Sequence, residues 1–346
     1  MSKRRLSERQ MERIRGIQDR RRRRLEERTE RLLDDRTDET PGEPVANALE
    51  QAEPREGRVV VRHGASLVVE DEQGQVHHCQ TRRNIGHLVC GDRVVWQPAE
   101  AGAGVVIALQ PRDTALSRPD YSGRDKALAA NLSLMAIVIA TRPEPSGYLV
   151  DQYLVAAQLI GVDAVIVINK MDLLDAGEQA RFRGRFDHYA LLGCPVLAVS
   201  VKGEPGLGAL LPHLVDQTVI LLGQSGVGKS SLTNALLPDQ DVQIGRLSQT
   251  TGLGRHTTSA ATCYRLGNGG RLIDSPGVRS FRLGDIERAD LERGFREFAP
   301  YLGRCRFADC RHLHEPDCAI RAAVAAGDIA AQRLRNFHHL CGQAGH

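Results

Sequence analysis

The sequence predicts a multi-domain protein: a small all-β barrel, an α/β domain of the phosphate-loop type with its motifs in permuted order, and a C-terminal segment organised by a metal site. Three observations predict it. Residues 57–112 are short β-branched alternations broken by turns. "GQSGVGKSS" at 223–231 directly follows the apolar run "TVILLG". "CRFADCRHLHEPDC" at 305–318 gathers Cys305, Cys310, His312, His314 and Cys318 in a stretch too short to fold by packing alone.

The first segment, residues 1–56, is the least globular. "RIRGIQDRRRRRLEER" concentrates arginine although the net charge of the whole chain is only +3. It is helix-prone but has few apolar positions, so it buries no face of its own. Residues 37–56 then read as an acidic, proline-bearing linker. The segment is either a solvated tail or an arm that orders on RNA by releasing counterions.

Residues 57–112 follow as the barrel: "GRVVVRHG", "SLVVEDEQGQVHHC" with a turn at Gln73 and Gly74, and "GDRVVWQPAEAGAGVVIALQPR". Arg82, Arg83 and Arg93 supply basic residues for one face. Trp96, the only tryptophan, reads as core.

Residues 113–282 carry the nucleotide chemistry. Gly223, Gly228, Lys229 and Ser230 fit G-x-x-x-x-G-K-[ST], and the buried-strand pattern before them is the context the motif needs. Backbone amides from Gly223, Gln224, Ser225, Gly226, Val227 and Gly228 through Ser231 curl around phosphate, helped by the positive end of a helix starting near Lys229. Lys229 reaches the outer phosphates and Ser230 can ligate Mg²⁺. A second buried strand, Val165 to Ile168, ends in Asn169, Lys170 and Asp172. An aspartate there accepts from guanine N1–H and its exocyclic amine, a donor pair adenine lacks, which favours GTP over ATP. Alone, N-K-x-D is weak evidence; beside a phosphate loop it is strong. "CPVLAVSVKG" repeats the strand-then-turn design and places Ser200 and Lys202 to close over the base. "GRLIDSPG" gives Asp274 and Gly277 in a D-x-x-G pattern, the aspartate holding Mg²⁺ through water and the glycine amide contacting the γ-phosphate. In the intervening "TTGLGRHTTS", Thr257 or Thr258 completes the Mg²⁺ shell.

The base motif thus precedes the phosphate loop, the reverse of the usual order. A doubly wound sheet puts ligand loops at the carboxyl ends of its strands, so the site depends on spatial order rather than on where the chain begins. A GTPase domain cut between its two halves and rejoined keeps its site.

Residues 283–346 hold the cysteine cluster. A Cys₃His set is a full tetrahedral shell for structural zinc, with no open position for chemistry. The eight cysteines are otherwise scattered, and Cys79, Cys90, Cys194, Cys263 and Cys341 read as ordinary residues. At 346 residues and 41% hydrophobic content there is chain for two or three cores. No apolar run approaches a membrane span and the amino terminus has no apolar signal core, which predicts a cytoplasmic protein.

Base motif, phosphate loop, "GRHTT", "DSPG" and cysteine cluster, in that order, resemble the circularly permuted bacterial GTPases of the RsgA (YjeQ) family over roughly residues 57–335. The resemblance implies an OB-fold barrel at 57–112, a circularly permuted GTPase domain at 113–282 and an α-helical zinc domain at 283–346. It implies one structural Zn²⁺ on Cys305, Cys310, His312 and Cys318, its spacing favouring His312 over His314. It also implies a monomer acting in late maturation of the small ribosomal subunit, in contact with its rRNA, with no DNA or membrane partner. Val278 stands where many GTPases put a water-orienting glutamine, so intrinsic turnover is expected to be slow. His256, beside the Mg²⁺ threonine and pointed to by the resemblance, is expected to take that role. Two other classes stay open: an RNA-binding assembly factor with GTP as structural ligand only, and a signalling or transport GTPase without RNA.

Overall fold

The computed structural model describes residues 52–343, apart from 64–65, 83–84, 100–102, 120–124, 238–260 and 276–285, together with positions 23, 26 and 27. His256, Thr257, Thr258, Gly277 and Val278, and almost all of the arginine-rich segment, lie outside the described residues. The described residues of Met1–Asp113 and Val242–Thr262 form one compact unit, and those of Thr114–Asp241 and Cys263–His346 the other.

In the first unit, β1 (Arg55–His63), β2 (Ser66–Asp71), β3 (Val76–Thr81), β4 (Arg93–Pro98) and β5 (Ala103–Leu109) follow the alternating apolar pattern. They pair in the order β1-β2-β3-β5-β4, and β4 returns to β1, closing a five-stranded barrel of OB type. Val59, Leu67, Val69, Leu88, Val94, Trp96 and Val106 fill it. Trp96 is fully buried and its indole N–H donates to Glu56 O at 3.3 Å, as a core tryptophan must. Of the basic residues expected on one face, Arg82 is exposed, Arg83 lies outside the described residues, and Arg93 is paired with Asp113 at 2.7 Å.

The second unit begins with a hairpin, β6 (Ala115–Pro119) and β7 (Asp125–Ala130). The fully buried run "LMAIVIA" forms β8 (Leu134–Ala140), followed by α1 (Gly147–Ile160), β9 (Asp163–Asn169), α2 (Ala176–Gly184), α3 (Asp187–Leu191) and β10 (Val196–Ala198). Then come β11 (Thr218–Leu222), α4 (Lys229–Leu236), β12 (Ala261–Arg265), whose first two residues belong to the first unit, and β13 (Arg271–Asp274). Strands β10, β9, β8, β11 and β13 lie in that order and are all parallel. The chain therefore leaves the sheet at the β10 edge and re-enters beyond β8, which brings the carboxyl ends of β9 and β11 to the two sides of β8. That jump is the permutation, seen as topology.

The C-terminal part adds α5 (Arg288–Gly294), a 3₁₀ turn (Arg296–Tyr301), α6 (Ala319–Ala326) and α7 (Ala331–Gln343). Phe295, Phe298, Phe337, Leu291, Ile320 and Leu340 share a core with Val155 of α1. A Cβ on Gly294 would lie 2.5 Å from Val155 Cγ1, so this close helix crossing requires glycine. Among the described residues, no helix is long and apolar enough to cross a membrane.

Candidate functional site

Strand β11 ends at Leu222 and α4 begins at Lys229, so residues 223–228 form the strand-to-helix loop the motif demands. Ser225, Gly226, Ser230 and Ser231 are exposed, whereas the Val227 side chain is fully buried and leaves its backbone to face the loop's neighbours. Lys229 Nζ donates to Gly223 O at 2.6 Å and Gln224 O at 2.8 Å, curling its stem back over the loop. A small cavity of about 20 Å³ beside it is lined by Lys229, Ser230, Thr233, Asp274 and Ser275. Asp274, at the carboxyl end of β13, thus stands with Ser230: hard oxygen donors of the kind Mg²⁺ takes.

The base motif reaches this loop directly. Asn169, the last residue of β9, is 2% exposed and its Nδ2 donates to Val227 O at 3.0 Å. Gly228, with φ of 96°, permits the approach, since a Cβ there would sit 2.3 Å from Asn169 Nδ2. Lys170 Nζ donates to Gly226 O at 2.6 Å and to Arg142 O at 2.8 Å. Asp172 is exposed, and the buried Ser200 hydroxyl donates to its Oδ1. Ser200 Oγ in turn accepts from the amides of Lys202 at 3.3 Å and Gly203 at 3.2 Å. The Asp172 carboxylate is thereby oriented while remaining open to solvent, the condition for reading a ligand's donor pair.

Residues that the motifs do not contain also build this site. The segment after β8 lies over the phosphate loop: Glu144 O accepts from Gln224 Nε2 at 3.0 Å, and Arg142 O takes the Lys170 bond. Tyr153 of α1 is buried and its hydroxyl bonds the Gly223 backbone, while burial pushes its pKa up. The available signal was "TRPEPSG", a polar, proline-rich turn ending a fully apolar strand at the ligand end of a sheet.

The second cluster is in the C-terminal part. The ligand atoms of Cys305, Cys310, His312 and Cys318 all lie within 4.8 Å of one another. His312 Nδ1 is 3.3 Å from Cys318 Sγ and 3.6 Å from Cys305 Sγ, and the two sulfurs are 3.9 Å apart. Tetrahedral zinc with its usual bond lengths sets S···S edges of about 3.8 Å and N···S edges of about 3.6 Å. The donors fit. His314 is exposed and outside the cluster. His312 has φ of 59°, a left-handed backbone that costs a non-glycine residue about 1 kcal/mol and persists where its surroundings fix it. Burial raises the Cys305 thiol, but the Ala319 and Ile320 amides at the start of α6, with the Cys310 and Cys318 thiols, outweigh it and hold the thiol below its ordinary range.

The family model described as RsgA GTPase matches residues 109–284. The small ribosomal subunit biogenesis GTPase RsgA of Chromohalobacter salexigens is 48% identical over 83% of this chain and 85% of its own length. The chain belongs to the RsgA GTPase family. The protein of the same name in Hahella chejuensis is 42% identical over 97% of this chain and 95% of its own. Among solved structures, YjeQ from Thermotoga maritima superposes with a TM-score of 0.70 at 33% identity, covering 85% of this chain and 99% of that one. YloQ, described as a circularly permuted GTPase, gives 0.67 at 26% identity, covering 86% and 98%. Members of the RsgA family are GTP hydrolases, and this chain is one. Membership also implies guanine nucleotide and Mg²⁺.

Proposed function

We propose that this GTPase acts on the small ribosomal subunit during its biogenesis, binding the subunit and its rRNA and hydrolysing GTP faster when bound. The observation that carries the nucleotide chemistry is the clasp between halves: Asn169 on Val227 O, with Asp172 set by Ser200 on the same side. Asp172 reads guanine, Asn169 and Lys170 brace the loop, and Ser200 with Lys202 closes over the base. The amides of residues 223–231 and Lys229 take the phosphates. Ser230, Asp274 and Thr257 or Thr258 would hold Mg²⁺, which when bound neutralises charge across the β- and γ-phosphates. Gly277 contacts the γ-phosphate by its amide.

His256 positions the attacking water in place of the glutamine that Val278 replaces; support for this is its place in "GRHTT" beside those threonines. One zinc per chain sits on Cys305, Cys310, His312 and Cys318 as a structural ion, supported by the fit of the four donors. The chain works as a cytoplasmic monomer, with the barrel and the arginine-rich segment as its RNA-contacting parts. The relatives' names support the subunit as partner, and the OB-type barrel supports RNA contact.

The test is to pellet the protein with purified small subunits in GTP, GDP and a non-hydrolysable analogue while following phosphate release. Tighter pelleting in the GTP state with subunit-stimulated turnover is expected. His256→Ala should still pellet in the GTP state but lose most of the stimulation; a variant as fast as the parent removes His256 from catalysis. Nucleotide binding with turnover indifferent to subunits would favour instead an RNA-binding assembly factor that uses GTP as a structural ligand.

A further inference from the structure

Behind the Cys₃His cluster stands a group that no ligand motif contains. His312 turns Nδ1 toward the sulfurs, so its other nitrogen, Nε2, points away from them into the protein. That nitrogen is buried and makes no close hydrogen bond among the described residues. Glu292 Oε1 lies 3.4 Å from it. Glu292 lies on α5, on a different element from every ligand, and is itself held: Arg288 Nε donates to its Oε1 at 2.9 Å. The other arm of Arg288 donates to the backbone carbonyl of Cys310, a ligand residue, at 2.6 Å. Arg288 and Glu292 thus touch the cluster at two points, one through Cys310 and one through His312.

We infer that Glu292 is a positioning residue for the metal site: its carboxylate accepts a hydrogen bond from His312 Nε2–H, which keeps the proton on that nitrogen and fixes the ring with Nδ1 free to ligate. The chemistry requires such a partner. A neutral imidazole that ligates through Nδ1 carries its proton on Nε2, and a buried N–H with no acceptor disfavours that tautomer. A carboxylate at that position selects the tautomer, sets the ring plane and raises the basicity of the ligating nitrogen. Among the described residues this nitrogen makes no other hydrogen bond, and the Phe298 and Phe337 rings, with centroids 6.5 and 6.1 Å from the His312 ring, offer no acceptor in the ring plane. Arg288 keeps Glu292 in place and offsets part of the negative charge that three thiolates and a carboxylate bring together.

The inference rests on reading the cluster as a zinc site, and the experiment separates the two. Full-length parent, Glu292→Gln, Glu292→Leu and, as a control at the half-exposed carboxylate of α5 that pairs with Arg293, Asp290→Ala are purified with zinc. Bound metal is counted, and affinity and release rate are measured by competition with a chromogenic zinc chelator. GTP binding checks that each variant is folded. Glu292→Leu, which keeps the bulk and removes the acceptor, should bind zinc 10- to 100-fold more weakly and release it correspondingly faster. Glu292→Gln, which keeps an acceptor without the charge, should recover part of that loss, whereas a role confined to packing would leave leucine no worse than glutamine. Asp290→Ala should match the parent. Parent-like affinity and release in the leucine variant would overturn the assignment of Glu292, and, should that variant not fold, parent-like values in Glu292→Gln would do so. A parent that carries no zinc would sink the zinc reading itself.

Discussion

Arg333 of α7 and Asp151 of α1 meet at 2.6 Å, 182 residues apart in sequence, with their side chains 3% and 0% exposed. Neither charge is alone. Arg333 also forms a fork with Glu297 at 2.6 and 3.0 Å, and its guanidinium lies 4.3 Å from the centre of the Phe295 ring. Asp151 accepts from Tyr189 Oη and Asn336 Nδ2, both at 2.6 Å. A pair so buried and so fully hydrogen-bonded ties the C-terminal helices to the first helix of the nucleotide-binding sheet.

Removing one partner therefore strands the other. Arg333→Ala leaves the buried Asp151 and Glu297 carboxylates without their shared cation and should destabilise the protein by about 3–5 kcal/mol. Denaturant titration of the zinc-loaded chain checks this. The double variant Arg333→Met with Asp151→Leu should lose less than the sum of the single changes, because the two residues share one network. Additive losses would mean that the pair does not act as a unit.

Asp172 gives a sharper test. Its Oδ1 takes the Ser200 hydroxyl, so in Asp172→Asn the amide oxygen should keep that bond and turn the NH₂ outward. An outward donor repels the guanine amine and suits xanthine, which presents a carbonyl there. GTP affinity should fall by tenfold or more, about 1.4 kcal/mol, while xanthosine triphosphate binds. Competition binding decides, and Ser200→Ala in the same background should weaken the new preference by freeing the amide to flip. Unchanged GTP preference would remove Asp172 from the base site.

Gly228 is the point where the two halves touch. A methyl group there would press on Asn169 Nδ2, in a backbone conformation that L-residues rarely adopt. Gly228→Ala should break the Asn169 bond to Val227 O and lower nucleotide affinity by at least tenfold, about 1.4 kcal/mol. Melting in the nucleotide-free state should change little by comparison. Isothermal titration alongside thermal unfolding separates the two effects.

Much of this was legible in the sequence because the chemistry is local. The phosphate loop, the aspartate of N-K-x-D, Ser200 and Asp274 each sit in a short motif that demands those residue types, and the spacing of the three cysteines marks the cluster, whereas the choice of His312 over His314 came from the family resemblance. The barrel was legible from alternation, which depends only on the pleat of a strand. What was not legible depends on residues that become neighbours only in space. Asp151, Tyr189, Glu297, Arg333 and Asn336 come from separate elements and look like surface residues in sequence. Glu292 likewise reads as one charge on a short helix. The arginines expected on the barrel face show the same limit, since Arg93 is partly committed to Asp113. The hairpin β6–β7 carries too little apolar contrast to be singled out.

Thiol chemistry distinguishes the two kinds of cysteine. Burial pushes Cys79 up to about 12 and Cys194 up to about 11, against an ordinary value of 9.0. The thiolate is the reactive form, so a raised value means both stay as unreactive thiols through pH 8 and ionise only at strongly alkaline pH. Cys305, Cys310 and Cys318 should be protected for a different reason, their sulfurs being the proposed ligands of zinc. Alkylation of the native chain at pH 8, read by peptide mapping, should leave all five unlabelled. Chelation should then expose Cys305 first, since its thiol is held below the ordinary range and it is the least buried of the three. Cys79 should stay unlabelled, because it is buried in the apolar core of the barrel. Labelling of Cys305 at the same rate with and without chelator would mean that no metal holds the cluster, and labelling of Cys79 before chelation would mean that the barrel opens on the time scale of the reaction.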